Sequence, residues 1–361
     1  MHNQVNEIQH IITEYEAKYP ATKSIDLLFD DCAIKVFSNS ETLIEKLDKY
    51  FGEFTAKSKQ TDITVIAIEA EAQKFDTVFT IKQPDPGKTR IKEEFANFPD
   101  GRIVRKRLTG MTFLFGKGKH LAIGPCKEND NQVVNFIINR FIQWALHKDG
   151  LLLHAAGVER NGKGLALAGF SGMGKSTLAL HIMSHRTSGI SFVSNDRLIT
   201  MSNGTGLSMR GVPKLPRVNP GTIINNKALK GVMSAEERKK ISAMNIDELW
   251  DLEQKYDVFI DECFGGNRFK LLAQMKALVI LNWSRSNDEF KFRKVTLKER
   301  LDLFPAFVKG TGLFYEPNPL RADQDFSDKA YLHLLEKCDV YEMTGKIDFE
   351  KGAKACLDII G

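Results

Sequence analysis

Apolar positions in the first part of the chain fall at two spacings. Ser40–Phe54 places Leu43, Ile44, Leu47 and Phe51 three and four residues apart, behind Ser40 and Glu41, which predicts a helix with its start signal. Asn6–Tyr19 has the same period and stops before Pro20. Asn131–His147 puts Val133, Val134, Ile137, Ile138, Phe141, Ile142 and Ala145 on one face of a third helix. Between these helices, Ile25–Phe37 alternates as one or two strands, and Ile63–Ile68 and Val78–Lys82 read as strands before a loop around Pro84–Gly87. Arg102–Leu108, Met111–Phe115 and His120–Ile123 predict a meander with turns at Gly110 and Gly116–Gly118. Residues 1–147 therefore read as a smaller α+β domain. The boundary falls near Lys148–Gly150, and residues 148–361 form a second domain.

The second domain opens with two apolar runs, Leu151–Val158 and Gly164–Ala168, joined by Arg160-Asn161-Gly162-Lys163. Asn-Gly is the strongest two-residue hairpin signal, because both turn residues need positive φ. Counting outward pairs Arg160 with Lys163, Val158 with Leu165, Ala156 with Leu167 and His154 with Gly169. Ile190–Ser194 and Ala277–Trp283 are further strands, and Ser327–Cys338 and Phe349–Ile360 are helices that cover a sheet. No internal repeat or low-complexity tract interrupts this order.

Composition narrows the class. With 361 residues, 42% hydrophobic and 27% charged, the chain is globular rather than disordered or collagenous. No apolar run approaches ~18 residues, so no membrane span is expected. Met1–Val5 lacks the basic-then-apolar form of a secretory signal. Five cysteines without a CxxC pair argue against disulfides and cysteine zinc sites, and fit a cytoplasmic protein. The net charge of +5 is modest, and no basic block alternates with aromatics, so a nucleic-acid partner is not expected. Residues 201–240 do hold eight basic side chains against Glu236 and Glu237. Such a segment is either a solvated face or a surface for an anion.

The central motif is Gly169-Phe170-Ser171-Gly172-Met173-Gly174-Lys175-Ser176, a match to GxxxxGK[ST] that follows an apolar strand and precedes a helical segment, Ser176–Met183. Glycines let backbone N–H groups turn toward phosphate oxygens, and the helix start adds unpaired donors and a favourable dipole. Lys175 supplies a cation for the β- and γ-phosphates, and the Ser176 hydroxyl can ligate Mg²⁺. The strand Ile190–Ser194 ends at Asn195-Asp196-Arg197. Ligands in open α/β sheets sit beyond the carboxyl ends of strands, so Asp196 is a candidate to hold the metal or to take a proton from an attacking hydroxyl. His154 is either a satisfied core histidine or, through the hairpin register, a neighbour of the loop. Val258–Ile260 followed by Asp261-Glu262 offers a rival carboxylate pair of Walker B form, with Asp261 on Mg²⁺ and Glu262 orienting water.

These residues resemble HPr kinase/phosphorylase. The resemblance rests on His154 fifteen positions before Gly169, on the loop GFSGMGKS, and on an acidic position after an apolar strand. It covers about residues 151–215, and Ser194–Thr200 (SNDRLIT) looks most like the subgroup called HprK-related kinase B, whose members are associated with ATP-grasp gene clusters. The resemblance implies an α/β fold: a C-terminal P-loop kinase domain with a mixed sheet, related to phosphoenolpyruvate carboxykinase. It also implies ATP, Mg²⁺ and γ-phosphoryl transfer to a hydroxyl, typically serine, on a protein or small molecule, and homo-oligomers are frequent. Carried over by position, Gly169, Ser171, Gly172, Met173, Gly174, Lys175, Ser176 and Thr177 bind the phosphates. His154, Asp196 and Lys175 flank the transfer, and Ser176 and Asp196 hold the metal. Arg210-Gly211 resembles the Arg-Gly of the family's signature loop, and Arg210, Lys214 and Arg217 are candidates to steer the acceptor. Three features depart from the family: Asn195 and Ser208 stand where it has acidic residues, and the spacing from Lys175 to Asn195 is longer by three. A P-loop ATPase or switch using Asp261 and Glu262, and a nucleotide-binding regulator without catalysis, are the alternative functions.

Overall fold

The computed structural model describes residues 7–72, 74–84, 89–185, 189–204, 206–245, 248–249, 252, 254–318 and 324–361. Two compact units divide the chain: Met1–Trp144 with Thr311–Ala322, and Ala145–Gly310 with Asp323–Gly361.

Among the described residues, the first unit holds an eight-stranded mixed sheet and three α-helices. In chain order these are α1 (Ile8–Lys18), β1 (Lys23–Phe29), β2 (Cys32–Ser38), α2 (Glu41–Phe51), β3 (Ile63–Glu69), β4 (Thr80–Ile81), β5 (Glu93–Phe98), β6 (Gly101–Lys106), β7 (Thr112–Gly116), β8 (Lys119–Gly124) and α3 (Asp130–Leu146). The sheet order is β1-β2-β3-β8-β7-β6-β5-β4. The pairs β2·β3 and β3·β8 are parallel, and α2 makes the crossover from β2 to β3. Ser40 caps α2, its side chain accepting from the Leu43 amide. On α1, Ile8, Ile11, Ile12 and Tyr15 form one stripe packed against Leu114, Leu121 and Ile123 of the sheet. The helix has no cap of its own, and Asp100 serves instead: its carboxylate accepts from the amides of Ile8 and Gln9 at 2.8 and 2.9 Å.

The strand expected at Val78–Lys82 shrinks to two residues, with Val78 91% exposed. Its partner β5 escapes the alternation test because only Ala96 of its six residues is buried. Of the expected Pro84–Gly87 loop, residues 85–87 lie outside the described residues.

The second unit is built on a nine-stranded mixed sheet. Its strands are β9 (Leu151–Leu153), β10 (Ala155–Arg160), β11 (Lys163–Gly169), β12 (Ile190–Ser194), β13 (Leu198–Ser202), β14 (Leu207–Gly211), β17 (Leu272–Leu281), β18 (Lys291–Lys294) and β19 (Asp339–Thr344), while β15 (Arg217–Val218) and β16 (Tyr256–Asp257) pair separately. Its helices are α4 (Lys175–Ser184), α5 (Pro220–Ile224), α6 (Ala235–Ser242), α7 (Ile260–Phe264), α8 (Phe304–Phe307), α9 (Asp328–Leu335) and α10 (Phe349–Ile360). The strand order is β12-β10-β11-β17-β14-β13-β9. The ten-residue β17 is the spine. It runs parallel to β11, pairs through its first half with β14, and pairs through its second half with β19. Apolar residues on one face of this sheet, among them Ala166, Ala168, Leu278 and Ile280, pack against Phe304, Phe307, Tyr331 and Leu335.

The Asn161-Gly162 turn forms with φ of 52° and 80°, and the pairs run from Arg160↔Lys163 to Ala155↔Ala168. The apolar run Leu151–Val158 is two strands rather than one. The chain breaks at His154 because β9 pairs with β13 while β10 pairs with β12. The Walker B strand is not formed. Asp261 and Glu262 are exposed residues in the first turn of the short helix α7, so a carboxylate pair at the carboxyl end of a buried strand does not exist there.

Candidate functional site

Three adjacent strands meet at one edge of the second sheet. β10 is antiparallel to both β11 and β12, so the start of β10 lies beside the ends of the other two. His154 precedes β10, Gly169 ends β11, and Asn195 and Asp196 follow β12. The strand carrying Asp196 is not the immediate neighbour of the loop strand, because β10 intervenes.

The loop after β11 turns on Gly172 and Gly174, with φ of 84° and 82°, a region where a side chain is strained. Gly174 is the residue before α4, and a Cβ there would meet the Phe349 ring at 2.8 Å. Trp283, buried beyond the end of β17, donates from Nε1 to the Met173 carbonyl at 2.9 Å and fixes the middle of the loop. Lys175 is 8% exposed and donates to the carbonyls of Gly169 and Phe170 at 2.7 and 3.3 Å. Ser171 and Gly172 are exposed at the loop tip. Ser176 Oγ donates to Asn195 Oδ1 at 2.5 Å, and Thr177 shares a hydrogen bond of 2.8 Å with Thr222. Gly169, Ser171, Gly172, Met173, Gly174, Lys175, Ser176 and Thr177 therefore form one strand–loop–helix unit, the form that binds phosphate.

Asp196 is the electrostatic centre. Lys309 Nζ lies 3.5 Å from its Oδ2, and its Oδ1 is buried with no hydrogen-bond partner among the described residues. Burial pushes the carboxyl up, but Lys214, Lys309, Arg197 and His154 outweigh it and hold it below the usual range. Burial, then the charge of Lys309, lowers Lys175 to about 8, with Asp196 opposing. Burial, then Lys175 and Lys309, lowers His154 to about 4, with Asp196 opposing. At neutral pH the group thus holds an ionised Asp196, a neutral His154 and a charged Lys175. His154 is not in the hairpin ladder opposite Gly169 as expected, since pairing stops one step earlier. Its amide donates instead to the Phe307 carbonyl at 2.7 Å.

The basic candidates separate. Lys214 is half-buried and its charge is coupled to Asp196. Arg210 is 6% exposed within β14, on the ladder opposite Ile199 and Leu272. Arg217 is exposed and paired with Asp257 at 3.1 Å, so it is not part of the Asp196 group. Gly211 after Arg210 is required by close approach, since a Cβ would sit 1.8 Å from the Val193 carbonyl oxygen. Ser208 is bonded within its own hairpin, to the Met201 carbonyl at 3.4 Å.

Sequence reasoning missed Lys309. It reaches Asp196 because residues 307–309 run along the β9–β10 break, with Leu153 bridged to Val308 and the Lys309 amide donating to Leu152 O. No periodicity announces that contact across 113 residues.

Part of this chain is similar to HPr kinase/phosphorylase. The Treponema pallidum (strain Nichols) protein of that name is 36% identical over 112 residues, 30% of this chain and 34% of its own length. The protein of that name from a second strain, of Treponema pallidum subsp. pallidum, is 35% identical over the same share. The chain thus spans about a third of the length of the curated relatives it matches. Among solved structures, the Hpr(Ser) kinase/phosphatase from Coxiella burnetii aligns with a TM-score of 0.28 at 10% identity, over 58% of this chain and 99% of that one. No family model matches. Among the described residues, no helix is long and apolar enough to cross a membrane.

Proposed function

We propose that this protein is an ATP-dependent phosphotransferase of the HPr-kinase-like class, transferring the γ-phosphoryl group to a hydroxyl on a protein or small molecule, with serine the expected acceptor. One observation carries the reading: an ionised Asp196, bridged to Lys309, stands at the same strand edge as the glycine-rich loop and Lys175.

Loop amides and the start of α4 hold the polyphosphate, and Lys175 sets a charge against the β- and γ-phosphates. Ser176 Oγ and the unpartnered Asp196 Oδ1 are a hard-oxygen donor set that fits Mg²⁺. The ion, when bound, neutralises charge on the phosphates. The acceptor oxygen attacks the γ-phosphorus, the bond to the β–γ bridging oxygen breaks, and ADP leaves with that electron pair. The hydroxyl proton passes to Asp196. Its lowered pKa makes Asp196 a weak base, which suffices for a largely dissociative transition state in which positioning outweighs base strength. Neutral His154 orients the acceptor, and Lys214 and Lys309 counter the charge developing on the transferred group.

We assign the chain to the HprK-related kinase B subgroup on the Ser194–Thr200 string. The test is γ-labelled ATP with Mg²⁺, incubated with the protein alone and with lysate of its source cells, beside Lys175→Ala. A label on an acceptor that needs lysate and is lost in the variant supports transfer. Free phosphate released equally with and without lysate, and no labelled acceptor, rejects it.

A further inference from the structure

The helix that begins at Lys175 carries a second chemistry at its other end. His181 and His185 lie four residues apart, which sets both imidazoles on one face. Glu350, in the first turn of α10, faces them. His181 Nε2 is 3.0 Å from Glu350 Oε1, and His185 Nε2 is 3.8 Å from Glu350 Oε2. Both Nε2 atoms are buried, and among the described residues neither makes a hydrogen bond. One ligand atom from each of the three side chains lies within 4.8 Å of the other two. The rings are held edge to face with centroids 5.5 Å apart, and Phe349 packs beside His181.

We propose that His181, His185 and Glu350 bind a divalent transition metal, zinc foremost, which clasps α10 to the phosphate-loop helix. Two imidazoles and a carboxylate, with a fourth position left to water, are an established zinc donor set. Zinc–nitrogen bonds of ~2.0–2.1 Å put neighbouring ligands of a tetrahedral shell about 3.4 Å apart. The His181–Glu350 and His185–Glu350 separations of 3.0 and 3.8 Å bracket that spacing, and small rotations of the exposed Glu350 and of the two imidazoles bring all three ligand atoms to it. Imidazole nitrogen selects against Mg²⁺, which takes oxygen, so this site and the phosphate loop call for different ions. The intervening Ile182-Met183-Ser184 lacks the glutamate that metalloproteases place after the first histidine, and the three ligands join two packed helices, so the role assigned to the metal is a clasp.

The experiment titrates metal-free, nucleotide-free full-length protein with zinc chloride by calorimetry, and with cobalt(II) followed by its visible ligand-field bands. The expected result is one site per chain, with intense bands of four- or five-coordinate cobalt and a zinc-dependent rise in Tm. His185→Gln and the surface variant Glu350→Gln, which leaves the helix packing in place, should each weaken zinc ~10-fold or more and remove the bands. Absence of zinc binding at micromolar concentration overturns the proposal, leaving an ordinary histidine–glutamate pair. Zinc affinity within about twofold of the parent in both variants also overturns it, since it places the metal elsewhere, such as on the five free cysteines.

Discussion

Ser176 Oγ donates to Asn195 Oδ1 at 2.5 Å, which joins the phosphate-loop helix to the end of β12. Asn195 stands where the resembled family has a carboxylate, and it is 7% exposed. An amide oxygen keeps the hydrogen bond but gives a cation less attraction than a charged oxygen. Asn195→Asp adds that charge beside Ser176. It should lower the Mg²⁺ concentration for half-maximal transfer by ~3–10-fold, as ligand charge tunes hard-cation sites. A magnesium titration of transfer checks this, and an unchanged midpoint would place the ion away from Asn195.

Lys175 and Asp196 should separate binding from chemistry. Lys175→Ala removes the cation that the proposed function sets against the phosphates, so nucleotide affinity and transfer should both fall, transfer by ~10³-fold or more. Asp196→Asn keeps shape and volume but removes the charge paired with Lys309. Bound nucleotide should stay within about threefold of the parent while turnover falls ~100-fold or more. Equilibrium binding of a fluorescent ATP analogue, set beside single-turnover transfer, distinguishes the two. Near-parental transfer by Asp196→Asn would show that the carboxylate is not part of the chemistry.

Lys309 gives a sharper test, because no motif points to it. Lys309→Met keeps the long apolar stem and removes the ammonium 3.5 Å from Asp196. The Asp196 carboxyl then loses one of the charges that hold it down, so its pKa rises. Transfer should fall ~10–100-fold with nucleotide affinity little changed, and the acid limb of the rate profile should move to higher pH. A rate loss without that shift would leave Lys309 a merely structural residue.

The local pattern made most of this legible. The Asn161-Gly162 turn, the three helices of the first unit and the strand–loop–helix at Gly169 rest on short-range rules, and all are present. Three features failed for lack of local signal. His154 reads as the middle of one apolar strand, yet partner exchange between β13 and β12 breaks the chain there. Val258–Ile260 has the composition of a strand but turns into α7 at Ile260, so Asp261 and Glu262 become helix surface. Lys309 meets Asp196 only through a long-range bridge at Val308. The strand edge that gathers Gly169 and Asp196 could be read in advance, whereas the lysine paired with Asp196 could not.

Acidity and alkalinity should act on different members of the site. His154 is lowered to about 4 from its ordinary 6.5, so the folded chain binds fewer protons than the unfolded one between those values. Stability from this residue is present above about pH 6.5 and is lost as pH falls toward 4. His154→Gln, which cannot titrate, should flatten the Tm decline over that window. Lys175, lowered to about 8 from 10.5, acts on the alkaline side. There too the folded chain binds fewer protons, so this group's contribution to stability rises with pH from about 8 toward 10.5. Nucleotide binding should show the opposite trend, because a polyphosphate favours the charged amine. Above about pH 8 the free protein must take up a proton to bind, and Kd should rise by up to ~10-fold per pH unit. Calorimetry near pH 8.5 in buffers of different ionisation enthalpy should register that uptake. In Lys175→Arg, which stays charged throughout, the uptake should vanish. Uptake that persists in Lys175→Arg would assign the proton to another group.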